Sequence, residues 1–175
     1  MRRDNVARWV MTGFVVLMLA ACGKGIVYGD YQAVMNEGWS RTDTLSFMAV
    51  VTMPDEDMDV YVDVRHGNDY PYCNLALAMT SIFSTPVDTL IRTDTLRLTL
   101  ADDEGRWTGE GFANFYHNTS YVTTLRLDTP ATCRFLLLPA MTDSLLKGIS
   151  DIGVRLTISS VSRDLHQPAE TRITK

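Results

Sequence analysis

Few side chains in this chain are placed to do chemistry. The first is the thiol of Cys22, which closes the run Leu19-Ala20-Ala21-Cys22. Arg2, Arg3 and Arg8 lie upstream against one acid, Asp4, and the stretch from Trp9 to Ala21 is apolar except for Thr12 and Gly13. That length suits a signal peptide and falls short of the ~20 apolar residues of a stable span. Small residues before the cysteine admit a peptidase close to the backbone. The arrangement resembles a lipoprotein signal, on which reading residues 1–21 are expected to be removed and the Cys22 sulfur acylated. Two or three acyl chains, at ~0.8 kcal/mol per buried methylene, anchor stably.

The remaining candidates for chemistry are thin. His66, His117 and His166 have no ligand spacing and no Cys or Glu partner pattern, so neither a metal nor a catalytic base is expected. The same reading gives no cofactor and no enzyme. Asp55, Glu56, Asp57 and Asp59 are oxygen donors of the kind calcium takes, but the run lacks the glycine and closing glutamate of an EF-hand loop. It reads as a solvated turn, as do Asp102, Asp103 and Glu104. Cys73 and Cys133 stand in apolar strand-like contexts. They are either a disulfide or two buried thiols, because sequence does not give the Cα separation a bridge requires.

Charge narrows the partners. Removal of residues 1–21 takes three of 16 basic residues and one of 21 acids, leaving 13 against 20 and a net charge of −7. Nucleic acid and polybasic contact with a membrane surface are both disfavoured.

The elements that must position these residues are strands. Val60, Val62 and Val64 alternate with Tyr61, Asp63 and Arg65. Leu75, Leu77 and Met79 alternate with Ala76, Ala78 and Thr80. Leu96, Leu98 and Leu100 alternate with Arg97 and Thr99, Leu125 and Leu127 with Thr124 and Arg126, and Val154, Leu156 and Ile158 with Arg155 and Thr157. Period-2 runs put an aliphatic stripe on one face of a sheet and a solvated stripe on the other. Turn signals at 53–57, 66–71 and 101–105 separate them, the last as a tight hairpin. The fold class is all-β: a single antiparallel sandwich of about eight or nine strands over 22–162, followed by a polar tail at 163–175. One helical turn is expected at 142–148, capped by Thr142 or Asp143 and ended by Gly148.

Several local patterns coincide in order: Tyr28-Gly29-Asp30-Tyr31 before Trp39; Arg65-His66 leading to Tyr70-Pro71-Tyr72-Cys73-Asn74-Leu75; Gly105-Arg106-Trp107-Thr108-Gly109; and Lys147-Gly148-Ile149-Ser150-Asp151-Ile152-Gly153. Across nearly the whole mature chain this resembles the GldH family of gliding motility lipoproteins from Bacteroidota. Cys73 is a departure, where the family pattern leads one to expect serine. The resemblance implies an envelope lipoprotein of a motility or secretion-associated assembly and brings no catalytic residues with it. A membrane-anchored carbohydrate- or peptidoglycan-binding sandwich is the alternative. In Bacteroidota, exported surface lipoproteins tend to carry acids just past the cysteine. Here none occurs before Asp30, so an outer-membrane protein facing the periplasm is expected, mounted close to the bilayer.

Two further sets of residues carry expectations. Asp-Thr-Leu recurs at Asp43-Thr44-Leu45, Asp88-Thr89-Leu90 and Asp94-Thr95-Leu96, with Asp143-Ser144-Leu145 beside them. This is similar to the Bacteroidota O-glycosylation acceptor and nominates Thr44, Thr89, Thr95 and Ser144, although Asp-Thr also opens strands. The loop holding Arg65, His66, Asn68, Asp69, Tyr70, Tyr72 and Asn74 is the expected interaction surface. Its tyrosines, like Trp39 and Trp107, have the competing role of packing at a sandwich corner.

Overall fold

A computed structural model describes residues 25–35 and 37–159, and the backbone of 171–172. Among the described residues the elements are all strands: β1 (Ile26–Ala33), β2 (Trp39–Ser40), β3 (Leu45–Val51), β4 (Asp57–Gly67), β5 (Asn74–Ser84), β6 (Thr89–Thr99), β7 (Glu110–Phe112), β8 (Phe115–Arg126), β9 (Ala131–Pro139), β10 (Leu145–Leu146), β11 (Ile149–Ile158) and β12 (Thr171–Arg172). Eight are long; β2, β7, β10 and β12 have two or three residues. One sheet runs β1-β11-β4-β8-β12, with β7 also on β8; a second runs β3-β9-β5-β6, and β10 with β2 makes a small third. The pairs are antiparallel except β12 on β8.

The alternation of the sequence becomes the core. Val60, Val62, Val64, Leu75, Leu77, Phe47, Phe135, Val154 and Leu156 are all buried between the sheets. Burying a Val, Leu or Phe contributes about 1.5–3 kcal/mol each, which makes the inward parity of each strand its strongest constraint. Trp39 is part of this core and donates its indole N–H to the Asp43 carbonyl at 2.9 Å.

The expected helical turn at 142–148 is not formed. Leu145–Leu146 instead makes β10, paired antiparallel with β2 through Leu146 opposite Trp39. A lone turn would leave Leu146 without its buried site, and a helix that short is marginal by itself. The 101–105 hairpin is formed, closed by Gly105 N–H to the Asp102 carbonyl at 2.9 Å and by the Ala101–Trp107 bridge.

The sandwich has two poles. Ile158 donates to the Gly25 carbonyl at 2.8 Å, so the N-terminal end of β1 shares a pole with the loops 52–56, 85–88 and 127–130. This is the proximal pole. The loops 68–73 and 100–109, the β7–β8 turn and the β2–β10 ladder lie at the distal pole.

Candidate functional site

The outer face of the β1-β11-β4-β8 sheet carries three cross-strand rows. They are Gly29–Arg155–Tyr61–Tyr121, Tyr31–Gly153–Asp63–Thr119 and Ala33–Asp151–Arg65–His117. Asp63 is at the centre. It occupies an outward position yet has no exposure, because neighbours cover it. Arg155 grips it with two bonds, Nε to Oδ2 at 3.2 Å and Nη2 to Oδ1 at 3.1 Å. The Thr119 hydroxyl donates to Oδ1 at 2.6 Å and the Tyr31 hydroxyl to Oδ2 at 2.9 Å.

Gly153 makes the last contact sterically feasible. Tyr31 must cross β11 to reach Asp63 on β4, and its ring lies over Gly153. A Cβ there would sit 2.6 Å from the ring. The Arg65 guanidinium in turn stacks over the Tyr31 ring, 4.5 Å from its centroid. Arg155 lies 5.2 Å from the Tyr61 centroid. One carboxylate thus fixes Arg155 and Tyr31 directly, and through their ring contacts Tyr61 and Arg65, on one surface.

Electrostatics follow from this geometry. Burial pushes the Asp63 carboxyl up. The hydrogen bonds from Arg155, Thr119 and Tyr31 outweigh that and hold it below the usual carboxylate value. Burial, then the bond to Asp63, raises the Tyr31 phenol. Its bond to Asp63 raises Arg155. Every short bond to Asp63 is therefore spent on holding the face together. Its lone pairs are taken, so it is a poor base. His117 Nε2 approaches Oδ1 only to 3.6 Å, beyond hydrogen-bond length. Among the described residues no three His, Cys, Asp or Glu side chains converge.

The expected interaction loop divides in two. Arg65 joins the sheet face, and Asn68, Asp69 and Asn74 are exposed. His66 and Tyr70 are not surface groups: both are buried. The His66 ring stands edge-on to Trp107 at 4.6 Å and stacks on Tyr116 at 5.5 Å. Its Nε2 meets Asn118 Oδ1 at 3.2 Å and its Nδ1 meets the Gly67 carbonyl at 3.1 Å. The Tyr70 hydroxyl donates to the Asn74 carbonyl at 2.7 Å, fixing the corner. Gly148, at φ +81°, lets the backbone pass Tyr70, since a Cβ there would lie 2.5 Å from the Tyr70 N and Cα. Tyr72 is half-buried and donates to Asp143 Oδ2 at 2.6 Å. These side chains close the distal end of the core, which is a packing role.

Cys73 and Cys133 are free thiols. Cys133 pairs across from Phe83 at one end of β5, whereas Cys73 immediately precedes β5 at the other. Ten residues of strand, at ~3.3 Å each, separate them by about 33 Å, far beyond disulfide reach. Thr44, Thr89, Thr95 and Ser144 are all exposed, with Thr89 and Thr95 on the edge strand β6. Asp57 is paired with Arg126, and Asp102 and Glu104 with Arg106. Cys22, His166 and most of the polar tail lie outside the described residues.

Sequence reasoning missed Tyr31, Thr119, Tyr121 and Arg155 as one site. The available signal was weak: Asp63 and Arg155 both fall on outward positions of strongly alternating strands, where charge is ordinary.

Fold and face together define an antiparallel β-sandwich with a rigid arginine–tyrosine surface on one sheet. The sequence profile of the GldH lipoprotein family matches residues 26–156. This chain therefore belongs to the GldH lipoprotein family and is a cell-envelope lipoprotein. It is 26% identical over 151 residues to the gliding motility lipoprotein GldH homolog of Christiangramia forsetii, covering 82% of this chain and 90% of that protein. It is 27% identical over 105 residues to the gliding motility lipoprotein GldH of Flavobacterium johnsoniae, covering 60% of this chain and 64% of that one. Likeness to solved structures is remote, as with the VP2 subviral particle of infectious bursal disease virus (TM-score 0.34, 13% identity, 75% of this chain and 30% of that chain).

Proposed function

We propose that this chain is a non-catalytic component of a gliding motility or secretion-associated assembly, and that it acts through protein contacts on the outer face of its larger sheet. The lipid is carried on Cys22, and the sandwich sits on the periplasmic side of the outer membrane. The shortness of the link supports a mount close to the bilayer: three residues from Cys22 to Gly25 span at most about 11 Å. The lack of acids between Cys22 and Asp30 supports the periplasmic side.

The observation that carries the reading is the arrangement of the rings. Tyr61 meets Tyr121 at 69° and Tyr31 meets His117 at 67°, both edge-to-face. A sugar stacks on coplanar rings, whereas tyrosines at mixed angles beside arginines are the composition of protein interfaces. Tyr121 is 54% exposed at the open end of that row.

A photo-crosslinking residue at Tyr121, in the full-length chain in cells, tests this by mass spectrometry of the products. A discrete adduct to one envelope protein is expected. Recovery of glycan alone would overturn the reading in favour of a peptidoglycan- or carbohydrate-binding module. Labelling by a palmitate analogue that survives Cys22→Ser would overturn the lipid assignment.

A further inference from the structure

The β7–β8 hairpin ends in two phenylalanines with little cover. Phe112 is 89% exposed and Phe115 is 63% exposed. They are direct cross-strand partners, so both side chains leave the same face of the ribbon. Phe115 and His117 share the parity of Thr119 and Tyr121, so that face is the arginine–tyrosine face already described. The turn is stiff. Ala113 takes φ 57°, a conformation that costs an L-residue about 1 kcal/mol. Asn68 ties the turn down, its N–H to the Asn114 carbonyl at 3.2 Å and its Nδ2 to Asn114 Oδ1 at 3.1 Å.

Position decides what covers this tip. Phe115 lies opposite Gly67, and Ile158, beside Gly25, lies opposite Met58. Nine residues of β4, at ~3.3 Å each, put the tip about 30 Å from the lipid-bearing end. Standing upright on its anchor, the molecule would hold the tip away from the bilayer. Ser159 and Thr171 both lie at the proximal pole, and the eleven residues that link them are long enough to extend at most about 21 Å from it. The next row inward, Glu110–His117–Arg65–Asp151, is polar and of mixed sign. An apolar prong with such a border has the anatomy of a protein contact, and its carboxylates oppose entry into lipid.

We propose that Phe112 and Phe115 form a pre-organised prong that inserts into an apolar pocket of a partner protein held away from the anchoring membrane. This rests on the protein-contact reading of the same face. A phenylalanine buries roughly 150–250 Å² when fully covered, enough for two anchoring residues.

The test uses the full-length, lipid-anchored chain with a photo-crosslinking residue at Tyr121 or at Phe112. In the Tyr121 background, Phe112→Ser with Phe115→Ser is expected to lower the yield of the single-protein adduct about 30-fold, the loss of at least one anchoring residue. Ile91→Ser, 63% exposed on the opposite sheet, is expected to leave it unchanged. Both variants remove exposed groups, so the melting temperature should move by less than about 2 °C. An undiminished Tyr121 adduct overturns the prong and leaves the protein-contact face standing. Absence of a protein adduct from both positions overturns both. A Phe112 product that is lipid, or a second copy of this chain, assigns the tip to another occupant and overturns the proposal.

Discussion

Asp63→Ala is the most informative single perturbation. The carboxylate has no exposure and accepts four hydrogen bonds, two of them from Arg155. Removing it strands the Arg155 guanidinium and the hydroxyls of Thr119 and Tyr31. Breaking one side of a buried pair costs about 3–5 kcal/mol. Arg155 keeps 28% side-chain exposure and recovers some hydration, which selects the lower end, ~3 kcal/mol. For a domain of this size that lowers the melting temperature by about 10 °C. Arg155→Met leaves the less exposed partner unpaired and should cost more, ~4 kcal/mol. The double variant Asp63→Leu with Arg155→Met should cost well under the sum, because no lone charge remains. Thermal and urea unfolding by circular dichroism measure all three. The folded carboxyl is held below its ordinary value of 3.8, so the folded state binds fewer protons than the unfolded chain in that range. The Asp63 contribution is then complete above about pH 4 and declines as pH falls through the depressed folded value. The gap between the wild type and Asp63→Asn should narrow along the same path. Additive variants, or a shift under 2 °C for Asp63→Ala, would refute the account of the cluster.

Three other outcomes follow from the geometry. Gly153→Ala should displace the Tyr31 ring and cost about 1–3 kcal/mol, and the same change in a Tyr31→Ala background should cost far less; equal costs would show that the ring is not the obstacle. Cys73 is exposed, while Cys133 is buried and its thiol is pushed up to about 12 by that burial. Apart from Cys22, one thiol should therefore react with maleimide in the native protein and two in urea, with no mass difference before and after reductant. Thr44, Thr89, Thr95 and Ser144 are exposed, as the proposed O-glycosylation requires; their joint change to alanine should abolish glycan staining, and a mass change equal to that of the four substitutions alone would remove them as sites.

Much of the fold was legible because period-2 alternation fixes parity. A strand with Val60, Val62 and Val64 on one side must turn those residues inward whatever its neighbours are. Parity also put Tyr61, Asp63, Arg65 and Arg155 outside, and turn chemistry placed the 101–105 hairpin. The 142–148 segment was misread because its polar-capped, leucine-bearing pattern suits a helical turn locally, while pairing with Trp39–Ser40 was invisible from within it.

Alternation says nothing of which strands lie side by side. Asp63 and Arg155 are 92 residues apart, and only the β11–β4 register brings them into contact. The same limit separated Tyr70 from Tyr121. As isolated residues both are amphipathic rings; the corner hydrogen bond to Asn74 buried one, and the end of a cross-strand row exposed the other. The sequence by itself determined the long alternating strands and the two sides of each. The tertiary structure decided which outward residues share a surface, because that depends on long-range register set by the packing of the whole core.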